Sequence, residues 1–284
     1  DEAVRVPGDL HDPLGEVGHE VVPGLVRRYP DRALLIVSAA CAVHCRFCTR
    51  SRVTRIRRGA TRWSQLDPAL QWLREHPDVR ELLLSGGDPL IASTQRIHEL
   101  LTRVRAVPSI EVIRIGTRVP AVLPMRIEPE LIDVLRAHGP IWIMTHFNHP
   151  RELTAQACQA LSLLADGGLP VMNQTVLLRG VNDNAEVLSE LCRGLVRQRV
   201  RPYYLLHADV VEGTAHLRTR LDDSIGIFSK LQGTLSGIAL PKLMVDTPGG
   251  HGKVPVGPET IVGRAPGRTT LVTYRGEHVD VIDP

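Results

Sequence analysis

The chain is short of lysine, of aromatic residues and of long apolar runs. Only three lysines occur among its 34 lysine and arginine residues, and aromatic residues make up 4% of the 284. No apolar run is long enough to span a bilayer, and no secretory signal pattern is present. The five cysteines, three of them packed into eight residues, do not form a disulfide framework. These absences argue against a membrane-spanning or disulfide-stapled protein and predict a reducing, cytoplasmic location.

The charge balance is weakly basic and evenly spread. Net charge is +3 and the isoelectric point is about 8.7. Because the basic residues do not form one block, a nucleic-acid surface is left open but is not indicated. An apolar content of 43% over 284 residues is enough for one large core.

Short apolar runs alternate with amphipathic stretches about every thirty residues, the length of a βα unit. Helices are predicted at "SQLDPALQWLREH", "STQRIHELLTRVRA", "EPELIDVLRAHG", "RELTAQACQALSLLADGG" and "NAEVLSELCRGLVRQR". Strands are predicted at "ALLIVS" from Ala33, "ELLLSG" from Glu81, "EVIRIG" from Glu111, "PIWIMT" from Pro140, "PVMNQTVL" from Pro170 and "RPYYLL" from Arg201. This rhythm predicts a parallel sheet curled into a barrel or part of one, with chemistry at the C-terminal strand ends. From about Leu235 the chain is richer in glycine and proline, and we expect an appended segment that closes over the barrel.

Three cysteines follow the first predicted strand at C-x3-C-x2-C spacing, in "CAVHCRFC": Cys41, Cys45 and Cys48. A structural zinc site and a simple iron-sulfur carrier would each usually need a fourth ligand. Three thiolates on a four-iron, four-sulfur cluster leave one iron open, and the amine and carboxylate of S-adenosylmethionine can chelate it. A partial zinc site is the alternative reading. The motif "SGGD", which ends the second strand at Asp88, favours the cluster.

A second motif, "VDTPGGHGKVPV", places Lys253 in a glycine-rich loop. It is not a phosphate-binding P-loop, because Thr247 replaces the first glycine, Val254 replaces Ser or Thr, and Pro255 opposes a following helix. A lysine on flexible backbone suits an imine with pyridoxal phosphate. The residues alone leave open a solvated lysine in a surface turn.

Together the motifs resemble the lysine 2,3-aminomutase family of radical SAM enzymes. The likeness covers nearly the whole chain, including "CAVHCRFCTR", "LLLSGGDPL", "IRIGTRVPAVLPMRI", "THFNHP", "NQTVLLRGVNDN" and "VDTPGGHGKVPV". It implies an α/β fold, a partial (β/α)6 TIM-like barrel with a C-terminal segment that carries the pyridoxal lysine. We expect an N-terminal segment at 1–32, the barrel at 33–234 and the C-terminal segment at 235–284.

The resemblance also implies three cofactors and the residues that hold them. Cys41, Cys45 and Cys48 would ligate the 4Fe-4S cluster. The S-adenosylmethionine contacts carry over to Gly86, Gly87, Asp88, His146 and Gln174. The pyridoxal phosphate contacts carry over to Arg28 and Arg32 for the phosphate group and to Lys253 for the Schiff base.

The substrate residues implied by the resemblance are Arg50, Asp209 and Asp246. Arg50 matches the arginine that pairs with the substrate α-carboxylate, and the two aspartates match those that receive the ε-ammonium group. We therefore expect an isomerase that converts L-lysine to L-β-lysine through a 5'-deoxyadenosyl radical, with an external electron donor such as flavodoxin or ferredoxin. L-Arginine is the alternative small-molecule substrate, since a guanidinium also fits carboxylates.

Three other functions stay open at this point. A related branch acts on a lysine side chain of a translation factor, but it lacks a carboxylate at the position of Asp246. A radical SAM enzyme without pyridoxal phosphate, acting on RNA, would fit the mild basicity. An iron-sulfur sensor would leave Lys253 unexplained.

The chain also departs from the family. His251 replaces a glycine of the usual "PGGGGK" loop, and its effect is open. The longer members carry an N-terminal helical extension and a zinc-binding C-terminal tail that these 284 residues lack, so a homo-oligomer is neither predicted nor excluded. Cys158 and Cys192 lie in apolar helical patterns, and we predict that both are buried.

Overall fold

A ten-stranded sheet in consecutive strand order organises the chain, and a separate three-stranded antiparallel sheet follows it. The structure, a computed structural model, describes residues 4–54 and 59–282. The large sheet contains β1 Glu20–Val22, β2 Leu25–Tyr29, β3 Arg32–Ser38, β4 Glu81–Gly86, β5 Val112–Gly116, β6 Ile141–Thr145, β7 Val171–Leu177, β8 Arg201–His207, β9 Lys242–Asp246 and β10 Lys253–Pro255. The small sheet contains β11 Ile261–Ala265, β12 Arg268–Val272 and β13 His278–Ile282.

The helices lie between successive parallel strands, and three of them begin at polar caps. Side chains of Ser93, Thr154 and Asn184 accept hydrogen bonds from the backbone N–H groups of the first turns that follow them. Among the described residues, no helix combines the length and the apolar character needed to cross a membrane. The helices are α1 Ser51–Thr54, α2 Trp63–Glu75, α3 Thr94–Arg105, α4 Val119–Val122, α5 Pro129–Ala137, α6 Ala155–Asp166, α7 Ala185–Arg197 and α8 Leu221–Leu231.

The predicted α/β partial barrel is present, and its parallel sheet is larger than predicted. Strands β3 to β8 are the six predicted strands, each parallel to the next. Strand β9 adds a seventh parallel strand beside β8, within the region expected to be an appended segment. Sequence reasoning missed β9 because "KLMVD" is short and follows a stretch rich in glycine and proline. The division of the chain at residues 32 and 234 stays a prediction.

The barrel strands alternate buried and partly exposed side chains. On one face, Leu35 of β3 and Ile113 of β5 are buried in a single apolar cluster with Leu70 of α2 and Leu101 of α3. The opposite face, which carries residues such as Arg114, is partly exposed and lines the barrel interior. Each buried leucine or isoleucine contributes about 1.5–3 kcal/mol, so the helix-facing cluster holds the frame that positions the strand ends.

The two edges of the large sheet meet through side chains and loops. The backbone N–H of Lys253, in β10, donates to the hydroxyl of Tyr29, in β2, at 3.0 Å. The N–H of Gly249 donates to the carbonyl of Pro13 at 3.1 Å. A Cβ on Gly15 would lie 2.6 Å from the carbonyl oxygen of Gly249, so only glycine permits this approach. The N-terminal segment therefore lies against the glycine-rich loop that presents Lys253.

Candidate active site

The cysteine loop is fastened to the turn "SGGD" by backbone hydrogen bonds. The N–H of Gly87 donates to Ser38 at 2.6 Å, and the N–H of Asp88 donates to Ala40 at 2.7 Å. A Cβ on Gly86, whose φ is +123°, would lie 2.1 Å from the Ser38 oxygen. A Cβ on Gly87 would lie 2.2 Å from the Ala40 oxygen. The two glycines are therefore required for the close crossing of the two strand ends.

The three cysteines of the loop lie near one another, form no disulfide and are partly exposed. The pKa of the Cys41 thiol is raised to about 11 by burial, and further by the charges of Asp88, Cys48 and Cys45. Within residues 4–54 and 59–282, no three His, Cys, Asp or Glu side chains converge on a single metal position. The loop thus brings the thiols together as a donor set without the final ligand geometry.

The carboxylate of Asp88 braces the turn from inside. Its Oδ1 accepts from the Thr117 hydroxyl at 2.7 Å and from the Leu90 N–H at 3.1 Å, and its Oδ2 accepts from the Arg118 N–H at 2.7 Å. Burial raises its pKa, and these hydrogen bonds oppose the increase. Both oxygens are thus used within the protein, so the Asp88 side chain supports the turn rather than binding a ligand directly.

Arg118 is a site residue that sequence reasoning missed. Its Nη1 donates to the Cys45 sulfur at 2.8 Å, and its Nη2 donates to Glu152 at 2.6 Å. Its guanidinium carbon lies 5.4 Å from the centre of the Phe47 ring. The only local signal was its place in "IGTRVP", directly after a predicted strand, where a lone arginine is more often a surface charge.

His146 is held as a neutral imidazole next to the cysteine loop. Its Nε2 lies 3.0 Å from Asn148 Oδ1, which also accepts from the Val176 N–H at 2.9 Å. Because that backbone N–H can only donate, the amide oxygen is assigned, and His146 Nε2 must carry its proton. Burial, and then the charge of Arg118, lower the pKa of His146 to about 4. Nδ1 is therefore an acceptor at neutral pH.

Gln174 lies beside His146 at the ends of neighbouring strands. The parallel register of β6 and β7 pairs Thr145 with Asn173, so the next residue of each strand follows side by side. Gln174 is partly exposed on the interior side of β7. The structure therefore places two of the five residues expected to contact S-adenosylmethionine at the ends of adjacent strands.

Arg50 is clamped by residues that the sequence did not indicate. Its Nε and Nη2 donate to the buried carboxylate of Glu16 at 2.8 and 2.6 Å, and its Nη1 donates to the Ser85 hydroxyl at 2.8 Å. Arg52 also pairs with Glu16, at 3.3 Å. A guanidinium carries five N–H groups. One on Nη1 and one on Nη2 are thus left unassigned among the described residues, enough for one carboxylate.

Lys253 lies in a charged cluster at the ends of β8 and β9. Its Nζ donates to Asp246 Oδ2, and the Arg28 guanidinium lies 3.1 Å from Asp246 Oδ1. The Asp246 side chain is only 4% exposed. Burial raises the pKa of Asp209 to about 7, and the charge of Asp246 adds to the increase, while Lys253 and Arg28 oppose it. The two aspartates therefore lie close enough to interact, although 36 residues separate them along the chain.

The two expected phosphate-binding arginines flank one tyrosine ring. The guanidinium carbon of Arg32 lies 3.9 Å from the Tyr29 ring centre, and that of Arg28 lies 5.3 Å from it. Arg32 also pairs with Asp31 at 3.0 Å. His251 is exposed at the surface of the glycine-rich loop.

The two remaining cysteines differ from each other. Cys192, in α7, is 3% exposed, and burial raises the pKa of its thiol to about 12, as expected for a buried residue. Cys158, in α6, is only partly buried, so the prediction that it is buried is wrong. It lies near the helix start, where its thiol donates to the carbonyl of Leu153 at 3.7 Å.

The side chains of the cysteine loop and those around Lys253 both fit the expected cofactors. Three thiols without a competing carboxylate suit iron-sulfur ligation. Arg118 Nε and Asn148 Nδ2, beside the cysteine loop, are buried donors without a partner among the described residues, and an acceptor-rich ligand would satisfy them. Near β10, one lysine and two arginines suit an aldehyde that carries a phosphate group.

The fold and the cysteine side of the site define the class of protein. The family model for the radical SAM superfamily matches residues 35–192, more than half of the chain. A radical SAM methyltransferase from Sphaerobacter thermophilus aligns with a TM-score of 0.54 and 19% identity, over 78% of this chain and 68% of its own. A second solved structure, described as "Native anSMEcpe with bound AdoMet and Cp18Cys peptide", aligns with a TM-score of 0.53 and 12% identity. The alignment covers 72% of this chain and 59% of that one. The chain is a radical SAM superfamily protein with the α/β partial-barrel fold.

The family within that class follows from sequence relatives. The lysine-2,3-aminomutase model matches residues 228–283. The L-lysine 2,3-aminomutase of Fusobacterium nucleatum is 45% identical over 97% of this chain and 65% of its own length. A relative from Aquifex aeolicus is 43% identical over 99% of this chain and 75% of its own length. The glutamate 2,3-aminomutase of Clostridioides difficile is 34% identical over 96% of this chain and 64% of its own.

The chain belongs to the lysine 2,3-aminomutase family. Membership implies a 4Fe-4S cluster, S-adenosylmethionine and pyridoxal phosphate as cofactors. The chain spans 65 to 66% of the length of several curated L-lysine 2,3-aminomutases that it matches.

Proposed function

We propose that this protein is an isomerase, a radical SAM and pyridoxal-phosphate-dependent 2,3-aminomutase that converts L-lysine to L-β-lysine. The observation that carries the proposal is the cluster of Lys253, Asp246, Asp209 and Arg28 at the barrel mouth. It combines an amine that can bind an aldehyde with two carboxylates that can bind a distal cation. Relatives that are 43 to 45% identical and carry the name L-lysine 2,3-aminomutase support the same activity.

The cofactors would be held on two sides of the mouth. Cys41, Cys45 and Cys48 would ligate the cluster, and the backbone of Gly86, Gly87 and Asp88, with His146 and Gln174, would hold S-adenosylmethionine. Arg28, Arg32 and Lys253 would hold pyridoxal phosphate. Together these groups would supply a carbon radical and a carbonyl on which an amino group can migrate between adjacent carbons.

The protein's own residues would bind, orient and shield the substrate. The two unassigned N–H groups of Arg50 would take the α-carboxylate, while Asp209 and Asp246 would take the ε-ammonium group at the other end. Asp246 Oδ2 is also in place to receive the proton that Lys253 Nζ must lose before it bonds carbon. Holding both ends fixes the reacting carbons, and the surrounding barrel limits access of water to a radical.

The two aspartates favour a cationic substrate. A substrate without a distal cation would leave Asp209 facing Asp246 without a compensating charge, so we expect glutamate and alanine to be rejected. L-Arginine is the second candidate, because a guanidinium can bind two carboxylates as well as an ammonium can. A lysine side chain of a protein is less favoured, because Arg50 would then lack its carboxylate.

The remaining parts of the proposal concern partners and location. A low-potential donor such as flavodoxin or ferredoxin would reduce the cluster, and a homo-oligomer is compatible with the family. The free cysteines fit a reducing cytoplasm. An RNA-modifying enzyme or an iron-sulfur sensor would not need Lys253 beside two carboxylates.

The experiment is an anaerobic assay with reductant and S-adenosylmethionine, offering L-lysine, L-arginine, L-ornithine and L-glutamate in parallel. We expect L-lysine to give L-β-lysine, and Asp209→Ala and Asp246→Ala to lose at least tenfold in kcat/KM. Turnover of glutamate, or unchanged lysine turnover in both variants, would contradict the proposed site. Turnover of arginine alone would move the assignment to the second candidate.

A further inference from the structure

Arg118 joins the cysteine loop to the rest of the barrel mouth. It follows β5, and its Nη1 donates a charge-assisted hydrogen bond to the sulfur of Cys45 at 2.8 Å. Its side chain is 19% exposed, so water screens this contact only partly. The carboxylate of Glu152 takes Nη2 at 2.6 Å, which leaves Nη1 to the thiol.

The position of the guanidinium does not depend on the thiol. Its backbone N–H is bound by the buried carboxylate of Asp88 at 2.7 Å. Glu152, which holds Nη2, is itself fixed through Oε2 by the backbone N–H groups of Asn148 and His149. Arg118 is therefore aimed at Cys45 by contacts on the neighbouring loop, and it is preorganised for this role.

The charges around this contact leave Arg118 as a cation next to the thiol. His146 is neutral above a pH of about 4, because burial and Arg118 lower its pKa. Asp88 faces the backbone of Arg118 rather than its guanidinium. Glu152 balances the charge on the side away from the sulfur. The Nε of Arg118 is a further buried donor without a partner in the part of the chain that the structure describes.

We propose that Arg118 is a positioning residue that donates a hydrogen bond to the cluster thiolate of Cys45 and raises the reduction potential of the cluster. The proposal rests on the assignment of Cys45 as a cluster ligand under the proposed function. Reduction adds one negative charge to the cluster and its thiolates. A cationic donor stabilises the more negative state more strongly, so reduction becomes easier.

The test is a redox titration of the anaerobically reconstituted full chain, followed by electron paramagnetic resonance of the reduced cluster. Arg118→Met removes the donor and the charge while keeping a long unbranched side chain. We expect its equilibrium constant for reduction to fall at least tenfold, which is about 59 mV for one electron. Arg118→Lys keeps a positive charge but loses the planar guanidinium group. We expect its equilibrium constant for reduction to lie between those of Arg118→Met and the natural sequence. Arg151→Met, at an exposed position in the turn after β6, is the matched control and should leave the potential unchanged.

Iron and sulfide analysis distinguishes the possible failures. Full cluster content with an unchanged potential in Arg118→Met would overturn the proposal. Loss of the cluster in both Arg118 variants would also overturn it, because the residue would then serve assembly. A Cys45→Ala protein that keeps a full four-iron cluster would contradict the ligand assignment under the proposed function, independently of the result for Arg118.

Discussion

The two sides of the barrel mouth are built by different kinds of contact. On the cysteine side, backbone groups meet at close range, as where the N–H groups of Gly87 and Asp88 bond to the chain just before Cys41. On the lysine side, charged side chains from distant parts of the chain converge, as where Arg28 and Lys253 share Asp246. The cysteine side is therefore fixed by chain geometry, whereas the lysine side is fixed by charge balance.

This difference predicts how each side responds to change. A geometric site fails when a side chain is added where none fits, and it is insensitive to pH as long as the thiols are ligated. A charge-balanced site keeps its shape on small changes of volume, and it responds to pH and to the charge of the ligand.

The largest effects should separate the two sides completely. Cys41→Ala, Cys45→Ala or Cys48→Ala should abolish the cluster and all cleavage of S-adenosylmethionine, while Lys253 still forms a borohydride-reducible adduct. Lys253→Ala should lose the adduct and the aminomutase reaction but keep the cluster, because amine chemistry and thiolate ligation use different residues. Iron analysis and mass spectrometry of the digested, reduced protein measure both.

Controls for this pair are available in the same chain. Cys158→Ala and Cys192→Ala should keep both the cluster and the adduct, because both residues lie on helices outside the cysteine loop. An adduct found on Lys230 or Lys242 instead of Lys253 would contradict the lysine side of the comparison.

Local motifs predicted the cysteine side better than the lysine side. The trio, "SGGD" and the six barrel strands could be recognised because each depends on a short stretch of sequence with its own period or spacing. The family resemblance supplied the long-range partners Arg28, Asp209 and Asp246. Their residue types and local sequence alone would not have indicated them. Neither route found Glu16, because its partner Arg50 is 34 residues away in sequence and its motif "DPLGE" resembles an ordinary polar turn.

Gly87→Ala should be the next largest effect, confined to the cysteine side. The added Cβ would lie 2.2 Å from the Ala40 oxygen, so the cysteine loop or the turn must move. We expect a loss of about 3 kcal/mol in unfolding free energy and incomplete cluster content. Gly226→Ala, in α8 with no atom near its Cβ position, is the matched control and should be neutral or slightly stabilising. Normal stability and cluster content in Gly87→Ala would contradict the geometric account.

Glu16→Gln should affect substrate binding more than chemistry. The carboxylate of Glu16 holds Arg50 through Nε and Nη2 and is 7% exposed, so its neutralisation loosens the guanidinium without changing any cofactor contact. We expect KM for L-lysine to rise about tenfold, about 1.4 kcal/mol, with kcat changed much less. Steady-state kinetics measure the changes in KM and kcat separately. Glu190→Gln, exposed on α7, is the control. An equal decrease in kcat with unchanged KM would show that Glu16 does not act through the carboxylate anchor.

An effect of similar size should appear on the lysine side as a pH dependence of stability that comes from Asp209. The pKa of Asp209 is raised to about 7 from an ordinary value of 3.8, so between these values the folded protein binds a proton that the unfolded chain has lost. Unfolding free energy from this group therefore falls as pH rises from about 4 to 7, and it is level above that range.

Asp209→Asn removes this titration. Without substrate, we expect the variant to gain about 1 to 2 kcal/mol relative to the natural sequence between pH 5 and pH 8, after allowance for partial exposure of the group. Chemical denaturation of both proteins at the two pH values gives their difference in unfolding free energy. Because His146 and the cysteines are present in both proteins, their titration cancels from this difference. Asp223→Asn, exposed on α8, should show no such change. A constant difference between Asp209→Asn and the natural sequence would mean that Asp209 is already ionised at pH 5, and the lysine side would then hold its two carboxylates by cation pairing alone.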